Sequence, residues 1–121
     1  MKPVLDTNIL VDFLRGVEAA REELARYPRA AVSLVTWMEI LVGAADPVEE
    51  ETLRAFVSRF EVLPVSLPVA ERAVLLRRHH RLRLPDAVIW ATAQVHERLF
   101  VTRNTRDFPA DDPAVRIPYR R

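Results

Sequence analysis

The sequence contains no cysteine. Disulfides, thiolate nucleophiles and cysteine-bound zinc are therefore excluded. Lysine is almost missing as well. Lys2, ahead of the first apolar run, is the only lysine among 18 Lys and Arg residues. Chemistry that needs an internal lysine has no candidate, which sets aside a P-loop, a Schiff base and the lysine of phospho-aspartate enzymes. Glycine is equally scarce: Gly16 and Gly43 stand apart, and neither belongs to a Gly-rich phosphate cradle. No apolar run approaches the ~20 residues of a membrane span. Residues 1–20 lack the layout of a signal peptide. A soluble, cytoplasmic protein is expected. Neither sign of charge dominates, with 29% charged residues and a net charge of +1, so affinity for nucleic acid has to come from local patches.

What is present suits a single domain over residues 1–121, half of it hydrophobic. Pro3-Val4-Leu5 is short, apolar and bounded, the pattern of a buried strand. Asp6 or Asn8 caps a helix over about Ile9 to Arg15, which Gly16 stops. A second helix is expected over Val17 to Arg26. Ala30 to Ser33 reads as a strand, followed by a helix from Leu34 to Ala45 whose positions Leu34, Met38, Leu41, Val42 and Ala45 form one apolar stripe. Pro47 opens a helix running to about Phe60. Glu61 to Val65 is a third strand, and Ser66 caps a helix from Leu67 to about Arg81. Leu84-Pro85-Asp86 opens a helix that is apolar on nearly every side. Leu99-Phe100-Val101 is a fourth strand, and Val115 to Ile117 a short edge strand. Strands alternating with helices predict an α/β fold, three layers with a central, mostly parallel sheet of four to five strands. Sites in such sheets gather at the carboxyl ends of the strands.

Asp6, Glu39, Asp86 and Asp107 interrupt apolar surroundings at such ends or at helix starts. Each has a plainer reading when taken alone. Asp6 serves equally as a helix cap, Asp86 as a first-turn acid favoured by the helix dipole, Glu39 as an exposed helical residue and Asp107 as a turn residue. Together they suggest a cluster. Converging carboxylates repel and raise one another's pKa, and a divalent cation relieves that conflict. All-oxygen ligation selects hard ions such as Mg²⁺ or Mn²⁺, one or two per site. Thr7, Asn8, Thr102 and Asn104 flank two of the acids and are candidates to orient them.

The segments "VLDTNILVDFL", "SLVTWMEILVGA", "LPDAVIWATA" and "LFVTRNTRDF" carry a resemblance that spans almost the whole chain. In this order and spacing they resemble a PIN-domain ribonuclease, and more narrowly the VapC-type toxin of toxin–antitoxin pairs. The resemblance implies a PIN-like α/β/α fold. It implies that Asp6, Glu39 and Asp86 are metal ligands and that Asp107 matches the common fourth acid. Asn104 stands where some relatives carry an acid, which leaves open whether Asn104 or Asp107 completes the set. Thr102 matches a hydroxyl that supports the site. The implied activity is metal-assisted hydrolysis of RNA phosphodiester bonds by an activated water. The implied partners are an RNA substrate, a cognate VapB-type antitoxin and a second copy of the chain in a homodimer, with no membrane involved.

The basic run "RRHHRLRLPD" leads straight into Asp86. Arg77, Arg78, Arg81 and Arg83 are candidates for phosphate contacts, as are Arg103 and Arg106 beside Asp107. The plainer reading makes Arg77 to Arg81 the wet end of a helix, where cations also suit the dipole. Two rival functions remain. A metal-dependent phosphatase also follows its first strand with an aspartate, but it wants a second one where Asn8 stands, and a late lysine. A non-catalytic RNA-binding or regulatory module on the same fold is the other.

Overall fold

The computed structural model describes residues 2–121. The described residues form five strands and six helices: β1 (Val4–Leu5), α1 (Thr7–Leu14), α2 (Glu18–Ala25), β2 (Ala31–Ser33), α3 (Leu34–Val42), α4 (Pro47–Val57), β3 (Glu61–Leu63), α5 (Leu67–His80), α6 (Leu84–Val95), β4 (Phe100–Val101) and β5 (Val115–Arg116). The strands build one sheet in the order β3-β2-β1-β4-β5, parallel throughout. The expected parallel sheet is thus found, with β1 at its centre and the short Val115 strand at an edge. Among the described residues no helix is long and apolar enough to cross a membrane.

Successive strand residues point to opposite faces, so two cores form. Val4, Ala31 and Phe100 pack on one face with Val69, Ala73 and Leu76 of α5 and with Ile89 and Trp90 of α6. Leu5, Val32 and Val101 pack on the other with Ile9 and Leu10 of α1, Leu24 of α2, Ile40 of α3 and Leu53, Phe56 and Val57 of α4. These are the three expected layers.

The apolar stripe read along the third helix is not the face that α3 buries. Met38 is 48% exposed and Val42 84%, while Thr36 and Ile40 are buried. The helix leaves β2 without an intervening loop, and the Ser33 hydroxyl caps it by accepting from the Val35 N–H at 3.0 Å. The strand therefore fixes the rotation of α3, whatever the hydrophobicity of its outer positions. The helix also ends at Val42, with Gly43 at its C-cap, short of the expected Ala45. Likewise α4 stops at Val57 rather than Phe60.

Candidate active site

Asp6 sits where β1 becomes α1. Its backbone is extended, and one carboxylate oxygen accepts from the Thr7 N–H at 2.8 Å, capping the helix. The other oxygen accepts from the Thr102 hydroxyl at 2.8 Å and from the Asn8 amide at 3.3 Å. One oxygen thus caps the helix while the other is held by Thr102 and Asn8, so the cap does not use up the whole carboxylate. Thr102 follows β4, the strand paired with β1, which explains how residues so distant in sequence meet. It is wholly buried. Its single proton goes to Asp6, and its oxygen accepts from the Asn8 amide at 3.2 Å and the Asn104 N–H at 3.1 Å.

Glu39 projects from α3 and accepts from the Thr7 hydroxyl at 2.7 Å. With that proton committed, the 2.9 Å contact between the Thr7 and Thr36 hydroxyls is donated by Thr36. Asp86 lies in the first turn of α6, with Arg83 Nε 3.7 Å from its carboxylate. Asp107 is presented by the loop after β4. Its neighbour Phe108 is buried edge-on against Trp90 and Phe100, at ring separations of 5.5 and 5.0 Å. Asn104 turns its amide to Asp107 at 2.9 Å, while its carbonyl accepts the N–H groups of Arg106 and Asp107 at 3.1 Å each. Both ends of the Asn104 side chain thus serve the conformation of the Asp107 loop.

Asp6, Glu39, Asp86 and Asp107 line one cleft of about 900 Å³, at the carboxyl ends of the strands, together with Thr7, Asn8 and Asn104. Burial pushes the Asp6 carboxyl up to about 7, and the nearby charges of Asp86 and Glu39 add to it against the hydrogen bonds from Thr102 and Thr7. Burial also pushes Asp86 up, opposed by Arg83 and reinforced by Glu39 and Asp107. The acids therefore feel one another's field. Even so, among the described residues no three Asp, Glu, His or Cys side chains, as they lie, converge tightly enough to enclose an ion. The donor set is all oxygen, as a hard divalent cation requires.

The arginines divide. Arg81, Arg83, Arg103 and Arg106 line the cleft; Arg77 and Arg78 do not. Arg81 takes a left-handed backbone (φ 54°) that ends α5 and turns the chain towards α6. Arg77 is engaged behind that turn, donating to the Leu82 carbonyl at 3.2 Å. His79, His80 and His96 are also absent from the cleft lining.

Sequence reasoning missed one group altogether. Asp12, in α1, is fully buried and accepts from Arg103, from the Tyr119 hydroxyl at 2.8 Å and from Arg121 Nη1 at 2.7 Å. Burial works against its ionisation, but Arg103 and Tyr119 outweigh burial and hold the carboxyl below its usual range. One signal was legible: Asp12 breaks an apolar run four residues after Asn8, on the same face of the helix.

Residues 4–110 match the PIN domain. The chain belongs to the PIN-domain family. The matched span of this PIN domain contains the four cleft acids and Asp12, and it stops short of Tyr119 and Arg121. The chain is 34% identical over 114 residues to Ribonuclease VapC10 of Mycobacterium tuberculosis, covering 88% of this chain and 85% of that one. Among solved structures it is similar to a toxin–antitoxin complex from Klebsiella pneumoniae, at a TM-score of 0.91 and 44% identity over 98% of this chain and 99% of that one. It is also similar to the DNA-bound VapBC of Salmonella typhimurium, at a TM-score of 0.75 and 28% identity over 96% of each chain.

Proposed function

We propose that this PIN domain is a divalent-metal-dependent endoribonuclease, the toxin of a VapBC-type toxin–antitoxin pair. In this reading the chain is a single domain acting in the cytoplasm as a homodimer, and a cognate VapB-type antitoxin restrains it. The observation that carries the reading is the meeting of Asp6, Glu39, Asp86 and Asp107 in one cleft beside five arginines. Its relatives support the choice of substrate: one is named a ribonuclease, and others are toxin–antitoxin complexes.

The four acids would hold one or two Mg²⁺ or Mn²⁺ ions. When bound, such a cation supplies Lewis-acid polarisation of the phosphodiester and a stronger water nucleophile near neutral pH. The rest is work for this chain's own residues. Thr102 and the Thr7 N–H fix both oxygens of Asp6, so the carboxylate faces the cleft in one orientation. Thr7 holds one oxygen of Glu39, and Asn104 one oxygen of Asp107. Arg81, Arg83 and Arg106 bring positive charge to the cleft wall, where a phosphate chain needs it. No histidine lines the cleft, so proton transfer in this scheme falls to the carboxylates and to solvent.

Incubation of the purified protein with a mixed RNA pool and Mn²⁺ or Mg²⁺ tests the reading. Endonucleolytic products that vanish on chelation and in Asp86→Asn are expected. Cleavage undiminished by either change, or no cleavage with any divalent ion, would refute it.

A further inference from the structure

The cleft has a rim that the acids do not explain. It is built around Asp12, whose carboxylate has no exposed surface. Two guanidinium groups converge on that one charge. Arg103 engages both of its oxygens, and Arg121 donates to Oδ1 through Nη1 alone. Tyr119 adds its hydroxyl to Oδ2 and so anchors the chain just before Arg121. A buried carboxylate needs one cation to balance it; this one has two, which leaves a positive charge in excess. The excess is not hidden. Arg103 and Arg121 are 28% and 44% exposed, and both line the same cleft as the acids. Arg83 and Arg106 are placed differently. They stand 3.7 and 3.8 Å from Asp86 and Asp107, acids of the cleft itself, and no buried carboxylate holds them in place.

The register of the site ties this rim to the chemistry. Thr102 bonds Asp6, and the next residue, Arg103, bonds Asp12. The Arg103 N–H also reaches Asn8 Oδ1 at 3.4 Å. Asn8 and Asp12 lie one turn apart on α1, so a single helix face holds the acid end and the cationic end of the cleft at a fixed spacing.

We propose that Arg121 and Arg103 form a phosphate subsite for the RNA strand, with Asp12 as the positioning residue that holds both. The proposal rests on the endoribonuclease reading and extends it to Arg121, which lies outside the matched family span. Arg121, pinned at one nitrogen, keeps its other N–H groups for the paired oxygens of a phosphodiester, and Arg103, pinned at Nε and Nη2, keeps Nη1. The carboxylate behind them also removes the entropy cost of holding a long side chain still.

The test is steady-state cleavage of a short single-stranded RNA at several salt concentrations, with the full chain and its Arg121→Ala, Arg121→Lys and Asp12→Asn variants. Arg121→Ala should raise KM about tenfold, the usual effect of losing one charge-assisted hydrogen bond. It should leave kcat within about twofold and lower the melting temperature only modestly, because Arg103 and Tyr119 still hold the buried Asp12 carboxylate. The dependence of log KM on log salt should become shallower by about 0.7, the loss of one phosphate contact on a single strand. Arg121→Lys should recover most of the affinity. Asp12→Asn should raise KM as well, with a lower melting temperature. Wild-type KM and salt slope in Arg121→Ala would overturn the proposal. So would normal RNA kinetics in Arg121→Ala accompanied by weaker capture of an acidic protein partner, which would assign the residue to that contact. A wild-type protein that cleaves no RNA would remove the endoribonuclease reading itself, and this proposal with it.

Discussion

Replacing Asp6 with Asn should make the metal-free protein more stable at alkaline pH. The carboxyl titrates near 7 in the folded chain against an ordinary 3.8. At 1.36 kcal/mol per pKa unit, the folded state disfavours the ionised form by about 4 kcal/mol. The folded pKa is the higher one, so the stability supplied by the protonated form is complete below about pH 4 and is lost as pH rises through 7. Asn removes that loss. It also turns an amide donor towards Thr102 and Asn8, which already aim protons at this oxygen, at a cost of about 1–2 kcal/mol. The variant should therefore be the less stable protein near pH 4 and the more stable one at pH 8, by about 2 kcal/mol. For a chain of this length the gain corresponds to a melting temperature raised by about 8 °C. Thermal and urea unfolding from pH 4 to 8.5 in EDTA would measure it. Asp12, held down, bends the pH profile of both proteins alike, whereas Asp86 feels the charge of Asp6, so the difference between the two reads Asp6 together with that coupling. A difference that stays flat across the range would refute the reasoning, because burial of an ionised Asp6 would then carry no cost. Mg²⁺ or Mn²⁺ at pH 8 should raise the melting temperature of the wild type more than that of the variant.

Two further changes probe the supports of the site. Thr102→Val removes the hydroxyl that favours ionised Asp6 and orphans the N–H groups that it accepts; it should cost about 1–3 kcal/mol in urea unfolding and move the acid limb of the cleavage–pH profile upward. Phe108→Ala empties the contact with Trp90 and Phe100; it should destabilise by about 3–5 kcal/mol and lower cleavage beyond what its folded fraction explains, since Asp107 loses its anchor.

Where a residue's place in the cleft followed from its neighbours in the chain, the sequence disclosed it. Asp6 was visible because two buried residues end at it and an amphipathic helix begins after it. Asp86 was visible because it stands at the head of a helix with no polar face to house it, and α6 is indeed buried from Ala87 to Ala93 apart from Val88. Asp12 was invisible for the opposite reason. An acid on a short helix looks like part of a wet face, and its partners at 103, 119 and 121 lie about a hundred residues away, joined to it only by folding. The same gap hid the second partner of Arg103, which lines the cleft as a phosphate contact would and is also paired with the Asp12 carboxylate. The outer positions of α3 were misleading because hydrophobicity ranks Met38 above Thr36, whereas the phase of the helix follows from its direct start at β2 and from the hydroxyl pair Thr36–Thr7. Where α3 and α4 end is decided by local capping, which composition resolves only to a few residues.

The alternation of Val4 and Leu5 between the two cores has a consequence for how such a chain diversifies. Ala31 and Val32 alternate in the same way, as do Phe100 and Val101. Exchanging one of these residues for another trades volume within one core. Deleting a single codon is an event of a different order: it sends every later strand residue to the opposite face and draws the following segment back by about 3.3 Å. In β1 or β4 that segment begins with Asp6 or Thr102, so one deletion would scramble both cores and withdraw the acid or its support. Substitution in these strands should therefore be tolerated where deletion is not, and changes of length should be borne best by connections such as 43–46 and 109–114, which carry no strand parity.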